Sequence, residues 1–291
     1  MSAPPSDSAG PENPDMSDLL VAATVLTHNG GRRSANEDAV VVGSCIFTSV
    51  SSSRPHTVTA SALSQQPVVV AVADGLGGHE AGEVAAAHVV GRLARMAPPS
   101  LRSPEEIALA LRAMSTELAA AGNDRPEQRD MGTTVVGLSL SPEQVIWFNI
   151  GDSRAYKLAD GYLGQMSVDD TPTALLAEPG ESPAPTSVVT QSIGPATPAP
   201  AAHTGIEPVL AEGTYLLCSD GLSDLVEATE IERLLARHAH DDPTAVKALW
   251  AAAMNAGGRD NITVVLVRAT HDVRNAADGV DGAAARASSV G

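Results

Sequence analysis

The feature that most limits how this chain can fold is the stretch VVVAVADGLGGHEAGEVAAAHVV, from Val68 to Val90. Val68 to Ala73 is short, largely β-branched and free of polar residues, so it reads as a buried strand. It ends on Asp74-Gly75-Leu76-Gly77-Gly78, and an alanine-rich helical pattern begins near Glu80. Glycine lets a backbone come within bonding distance of an ion or phosphate, and a carboxylate set there can hold one. An aspartate that merely caps a helix after a tight turn has the same sequence, and the motif alone does not separate the two. The weight shifts because two more aspartates, flanked by glycine or asparagine, adjoin similar strands much later.

Composition narrows the classes of function. The 291 residues suffice for one large domain or two small ones, and no linker or internal repeat divides them. Only 2% of residues are aromatic, so Val, Leu, Ile and Ala must fill the core. A formal charge of −17 argues against nucleic acid and against an anionic membrane, both of which need clustered Lys and Arg. That acidity suits a protein that gathers divalent cations or meets basic surfaces. No apolar run approaches the roughly 20 residues of a membrane span, and the first 20 residues lack a signal-peptide plan. Cys45 and Cys218 both lie in apolar, strand-like runs and read as buried thiols of a reducing compartment. The expected location is the cytoplasm, with no large extra domain or membrane anchor.

Taken in order, residues 1–20 and 271–291 are expected to be disordered tails around one domain, 21–270. Val21 to His28 is the first expected strand and Ala39 to Phe47 the second, with Ser49 to Gln66 a surface loop. Ala81 to Ala97 and Pro104 to Ala121 read as helices, the second opened by Ser103-Pro104-Glu105-Glu106. A meander follows: Thr134 to Leu140, Gln144 to Ile150, Arg154 to Leu158 and Tyr162 to Met166. Asp169 to Pro208 reads as a long loop or flap. Thr214 to Ser219 is a buried strand, Ala228 to Ala239 and Pro243 to Asn255 are helices, and Ile262 to Arg268 is the last strand. Strands in neighbouring hairpins and helices in consecutive pairs predict an α+β domain, antiparallel sheets covered by helix pairs.

The acidic residues at strand ends are Glu37, Asp38, Asp74, Asp130, Asp152, Asp220 and Asp260. Singly, each is most simply a turn residue. If they converge, the arithmetic changes, because two carboxylates about 4 Å apart repel by roughly 4 kcal/mol at an effective dielectric near 20. Such a cluster requires protons or a cation, and an all-oxygen set selects magnesium or manganese over zinc. No Cys or His pair has zinc-ligand spacing.

Six motifs stand in one order: Arg33-x-x-x-Glu37-Asp38, Asp74-Gly75-x-Gly77-Gly78-His79, Met131-Gly132-Thr133-Thr134, Gly151-Asp152-Ser153-Arg154, Ser219-Asp220-Gly221-Leu222 and Asp260-Asn261-x-Thr263. In this the chain resembles the PPM-type, or type 2C, metal-dependent protein Ser/Thr phosphatases of bacteria, from about Thr24 to Val267. The resemblance implies a four-layer α-β-β-α sandwich, two antiparallel sheets flanked by helix pairs, with two Mn2+ or Mg2+ ions in a cleft at one end. It implies that Asp74 bridges both ions, that Asp220 and Asp260 complete the first, and that the Gly75 carbonyl and Glu37 serve the second. Asp130 matches a residue that helps hold a third ion with Asp220. Phosphoserine or phosphothreonine would be hydrolysed by a hydroxide bridging the ions. Arg33 would grip the phosphoryl oxygens, while Asp38 and Asn261 orient metal-bound water. A phosphorylated protein is the implied substrate, a Ser/Thr kinase the implied opponent, and the chain would act as a monomer.

The chain also departs from the family pattern. Leu76 occupies the place where some members carry a histidine that serves as general acid. His79 either donates a proton or simply begins the helix. Asp170-Thr171 stands where an Asp-His pair is common. Asp152 and Arg154 are read as bracing their turn rather than touching substrate. The alternative reading is a catalytically silent PPM-like domain that binds a regulatory partner. Retention of Asp74, Asp220 and Asp260 speaks against it.

Overall fold

Aliphatic side chains build the interior, and their spacing decides how many layers it has. A computed structural model of the chain describes residues 18–77, 81–96, 100–124, 131–176, 188–197, 199–208 and 212–271. The first half runs β1 (Leu19–His28), β2 (Ala39–Val42), β3 (Cys45–Phe47), β4 (His56–Ala62), β5 (Val68–Ala73), β6 (Gly75–Leu76), α1 (Ala81–Arg95) and α2 (Pro104–Asp124). There follow β7 (Gly132–Thr133), β8 (Val135–Leu140), β9 (Gln144–Ile150), β10 (Arg154–Ala159), β11 (Tyr162–Gln165), α3 (Pro172–Leu176), β12 (His203–Pro208) and β13 (Glu212–Cys218). The chain closes with α4 (Asp220–Ser223), α5 (Ala228–Arg237), α6 (Asp242–Asn255) and β14 (Ile262–His271).

Two six-stranded antiparallel sheets form the centre, in the orders β11-β10-β13-β14-β1-β4 and β12-β9-β8-β5-β2-β3. Every residue of β5 is buried because each face has a cover. Val68, Val70 and Val72 point between the sheets, while Val69, Ala71 and Ala73 meet α1 and α2. Strand β14 does the same in the other sheet: Val265 and Val267 face inward, Val264 and Leu266 face α5 and α6. Three apolar layers result, and each fully buried Val, Leu or Ile contributes roughly 1.5–3 kcal/mol. The fold class is the four-layer α+β sandwich expected. Among the described residues no helix is long and apolar enough to cross a membrane.

Several expectations are corrected. Ala39 to Phe47 is two strands, because the chain turns at Gly43, whose φ of +57° favours glycine. Ser49 to Gln66 contains β4, an edge strand paired only with β1. Its Thr and Ser pattern looks like a loop because most of its residues are not buried. Asp169 to Pro208 is likewise not one loop, since it holds α3 and β12; residues 177–187 lie outside the description. Cys45 is exposed on edge strand β3, whereas Cys218 is buried. The first strand extends back to Leu19 and the last runs on to His271, while residues 1–17 and 272–291 lie outside the description.

Two close backbone approaches set the end of the sandwich. A Cβ on Gly75 would stand 2.4 Å from the Gly82 carbonyl oxygen, so β6 and α1 touch backbone to backbone. A Cβ on Gly221 would stand 1.8 Å from the Asn261 carbonyl oxygen, where α4 crosses the entry to β14. Gly221→Ala is therefore expected to cost about 3 kcal/mol, lowering the unfolding temperature by roughly 6–12 °C in calorimetry. Gly164→Ala, whose nearest neighbour would lie at 3.9 Å, is the control and should change stability by less than about 0.5 kcal/mol.

Candidate metal centre

Strand register brings the acidic motifs to one end. In the second sheet Ala39 pairs with Ala73, so Asp38 enters β2 beside the point where Asp74 leaves β5. In the first sheet Cys218 pairs with Val264, so Asp220 follows β13 at the end where Asp260 precedes β14. The Gly151-Asp152-Ser153 turn joins β9 to β10 at that same end, since Ile150 pairs with Val135 and Arg154 with Cys218.

Neutral groups hold these ends in place. Asp38 Oδ2 accepts from Ser219 Oγ at 2.8 Å and from Thr263 Oγ1 at 2.6 Å, which ties the two sheets together across the gap. Thr134 N donates to the Asp74 carbonyl at 2.9 Å, and Thr133 Oγ1 does so at 2.8 Å. The Asn261 side chain accepts from Glu37 N at 2.8 Å and donates to the Ala35 carbonyl at 2.9 Å. Its backbone N–H donates to Asp260 Oδ1 at 2.8 Å. The Glu37 carboxylate lies beside Gly82: Oε2 is 3.0 Å from where a Cβ would be. Arg33 is half exposed and donates from Nη2 to Asp260 Oδ2 at 2.7 Å.

The electrostatics are those of a crowded anionic pocket. Burial pushes Asp38 up to about 6, opposed by its two hydroxyl donors. Burial raises Asp74 well above the carboxylate range, and Asp38, Asp220, Asp152 and Asp260 raise it further. Asp220 is raised in the same way, by burial and then by Asp152, Asp260, Asp224 and Asp38. Burial also raises Glu37, with Arg33 opposing. The hydrogen bond to Asp260 raises Arg33 and keeps it charged. Asp38 Oδ1 and Asp220 Oδ1 are buried without a partner. Orphaned carboxylate oxygens among mutually repelling carboxylates fit a hard divalent cation, and an all-oxygen donor set fits Mg2+ or Mn2+. The set is not drawn into a finished cage: among the described residues, no three His, Cys, Asp or Glu side chains are grouped as metal ligands. One of these carboxylates, Asp260, is held by Arg33 instead.

Of the residues singled out in the sequence, Arg33, Glu37, Asp38, Asp74, Gly75, Asp220, Asp260 and Asn261 are all at this end. Asp130 and His79 lie outside the described residues. Leu76 sits in β6 opposite Gly132. Asp152 is buried and pushed up to about 6 by that burial, and its charge reaches Asp220 and Asp74. Arg154 clasps Asp169 through Nη2 at 2.7 Å and Nε at 2.9 Å. Asp170 accepts from Gly151 N at 2.8 Å, and His203 Nε2 lies 2.9 Å from its Oδ1. A histidine thus faces Asp170, but it comes from β12 rather than from the next residue. Sequence reading missed the bridging roles of Ser219 and Thr263. The signal was a hydroxyl residue beside each strand-end acid.

An α+β sandwich with an acid-lined end that calls for divalent cations is the class of protein these features define. A family profile for protein phosphatase 2C matches residues 56–261, leaving the first motif, Arg33 to Asp38, ahead of the matched span. The Ser/Thr protein phosphatase PstP of Mycobacterium tuberculosis is 36% identical over 218 residues, 68% of this chain and 40% of that protein. This chain therefore spans about two fifths of that relative's length. The Ser/Thr phosphatase stp of Listeria monocytogenes is 33% identical over 215 residues, 69% of this chain and 84% of that protein. A crystal structure of the Mycobacterium tuberculosis phosphatase PstP/Ppp superposes with a TM-score of 0.70 at 28% identity, covering 87% of this chain and 100% of that one. The PstP catalytic domain in complex with two manganese ions superposes with a TM-score of 0.67 at 28% identity, covering 87% and 99%. The chain belongs to the protein phosphatase 2C family.

A raised carboxylate destabilises the fold at any pH where the unfolded chain has already lost the proton. Asp38 and Asp152 ionise near 3.8 when unfolded and near 6 when folded, so the native state binds more protons between those values. Without divalent ions, stability is therefore expected to fall as pH rises from about 4 through about 6. Asp220→Asn removes one such group and should raise the metal-free unfolding temperature at pH 7 by roughly 3–8 °C. Thermal unfolding in a chelator, across pH, checks both.

Proposed function

We propose that this chain is a metal-dependent protein-serine/threonine phosphatase whose domain spans about 21–270 and whose metal site is the acidic end of the sandwich. The observation that carries the reading is the meeting of buried, partnerless carboxylate oxygens from both sheets with a half-exposed arginine. Glu37, Asp74, the Gly75 carbonyl, Asp220 and Asp260 would hold two Mn2+ or Mg2+ ions, with Asp130 and Asp220 serving a third. When bound, such ions make water nucleophilic at neutral pH and share the charge of the phosphoryl group.

The chain's own residues do the remaining work. Arg33 leaves Asp260 and turns its guanidinium fork onto two phosphoryl oxygens. Leaving is cheap, because an ion pair this exposed is worth about 1 kcal/mol at most. Asp38 stays clasped by Ser219 and Thr263, so its partnerless oxygen keeps one direction and can orient water. Asn261 fixes the backbone of Glu37 and the carboxylate of Asp260 together, which holds residues from the two sheets in register with the substrate. Leu76 offers no proton, so the leaving serine or threonine oxygen takes one from water. The relatives' names support phosphoserine and phosphothreonine on proteins as substrate. We further read the enzyme, from the family resemblance and not from those names, as a cytoplasmic monomer that opposes a Ser/Thr kinase.

Hydrolysis of p-nitrophenyl phosphate and of a phosphothreonine peptide should require Mn2+ and stop in chelator. Asp74→Asn should reduce kcat by roughly 10³. Arg33→Ala should raise KM for the peptide by about 10- to 100-fold with a smaller effect on kcat. Full turnover in chelator, or an Asp74→Asn enzyme as fast as the parent, would overturn the reading.

A further inference from the structure

At the end of the sandwich away from the acids, the β4–β5 connection, the β8–β9 turn and the residues leading into α2 line a half-open pocket of about 300 Å3. Strand β5 spans the distance between the two ends, roughly 20 Å for six residues at about 3.3 Å each. Pro67, Leu101 and Ile146 give the cavity an apolar wall, and Arg102 and Glu143 bring opposite charges to it.

The arginine is held and underused. Its Nη1 donates to the neutral amide of Gln65, yet its Nε is buried with no partner. A buried donor left unpaired costs roughly 1–3 kcal/mol, but this one is closed off from solvent, so it is the rest of the side chain that meets the pocket. The backbone that presents it is fixed from both sides. Ser139 Oγ donates to the Leu101 carbonyl at 2.6 Å, and Gln144 Nε2 donates to the Arg102 carbonyl at 2.9 Å. Leu101 itself is buried at a φ of +62°, a left-handed conformation that costs a leucine roughly 1–2 kcal/mol. Glu143 is the opposing charge. Burial raises its pKa, but the hydroxyls of Ser64 and Ser141 and the charge of Arg102 lower it more, so it is ionised at neutral pH.

These groups select among ligands. A purely apolar molecule would leave the Arg102 charge without a counter-charge, and a dianion such as a phosphate monoester would be repelled by Glu143. A compact molecule with one carboxylate, one cationic group and a short apolar body satisfies all three surfaces. The volume is at the small end for ligand sites, which begin at about 300 Å3. We propose that this cavity binds a free α-amino acid with an aliphatic side chain, its carboxylate on Arg102, its ammonium on Glu143 and its side chain against Pro67, Leu101 and Ile146. The site is separate from the metal centre, and its test does not depend on phosphatase activity.

L-Leucine is the probe, titrated into the full chain and read by calorimetry and thermal unfolding. Saturable binding is expected, with a rise in unfolding temperature of at least about 2 °C at saturation. N-Acetyl-L-leucine, which lacks the ammonium, and L-leucinamide, which lacks the carboxylate, should each bind at least about tenfold more weakly. Glu143→Gln, at an exposed position, and Arg102→Gln should each weaken leucine by a similar factor. Should Arg102→Gln fail to fold, Arg102→Lys removes the guanidinium fork while keeping the charge, and the same loss is expected. No saturable response to leucine, equal binding of the two analogues, or undiminished binding in Glu143→Gln would each overturn the proposal.

Discussion

Mutual repulsion among carboxylates that both sheets bury at one end is the constraint to which the rest of the molecule answers. Burial raises the proton affinity of Asp38, Asp74 and Asp220, the charges of neighbouring aspartates, Asp260 among them, raise it further, and one oxygen each of Asp38 and Asp220 has no partner. A carboxylate that binds its proton tenfold more tightly when folded costs about 1.4 kcal/mol of stability once that proton is lost. The apolar layers supply what offsets it. Strands β5 and β14 are packed on both faces, so each adds side chains to two layers at once. An acidic end of this kind could not survive on a single open sheet with one wet face.

Neutral donors keep the acids aimed without neutralising them. Ser219 and Thr263 both donate to one oxygen of Asp38, leaving the other free. Thr133 and Thr134 hold Asp74 by its carbonyl and leave the carboxylate alone. Asn261 binds the backbone of Glu37 from the other sheet. Had arginine or lysine done this bracing, the charge would be satisfied internally and no demand for a cation would remain. Hydroxyls and amides fix direction at little electrostatic cost, which is what a preorganised ligand set needs.

Much of this was legible in the chain because burial on two faces leaves a strong trace. Val68 to Ala73 reads as a strand, and it is one to the residue. The strand-end acids were recognisable from the glycine and asparagine beside them, since close backbone approach at Gly75 and Gly221 admits nothing larger. Edge elements were not legible. Strand β4 is built of His, Thr, Val, Ala and Ser with mostly uncovered side chains, and β12 contains Gly205 and ends on Pro208. Neither composition distinguishes a half-paired strand from a loop; the pairing partner does, and that lies elsewhere in the chain. Cys45 was misread for the same reason, because an apolar run on an edge strand need not be buried. Long-range pairs such as Arg33 with Asp260, 227 residues apart, follow from register and not from any local pattern.

If divalent ions fill this end as proposed, the exposed Arg33–Asp260 pair is the interaction that would give way. The two side chains are 51% and 37% exposed, so water already screens their attraction and the pair contributes about 1 kcal/mol at most. Asp38, Asp74 and Asp220 are less screened than that pair, and like charges raise each of them, at Asp38 against its two hydroxyl donors. A divalent cation that relieves the buried repulsion therefore gains more than the exposed pair loses. Asp260 is the natural member to be released first, since it alone combines an exposed face with a backbone donor, Asn261 N, that keeps one oxygen oriented. The freed guanidinium would remain at the rim of an end made less negative by the bound cation. An anionic group could approach under that condition, so in the proposed function the exposed pair would order two events: cation first, phosphoryl group second.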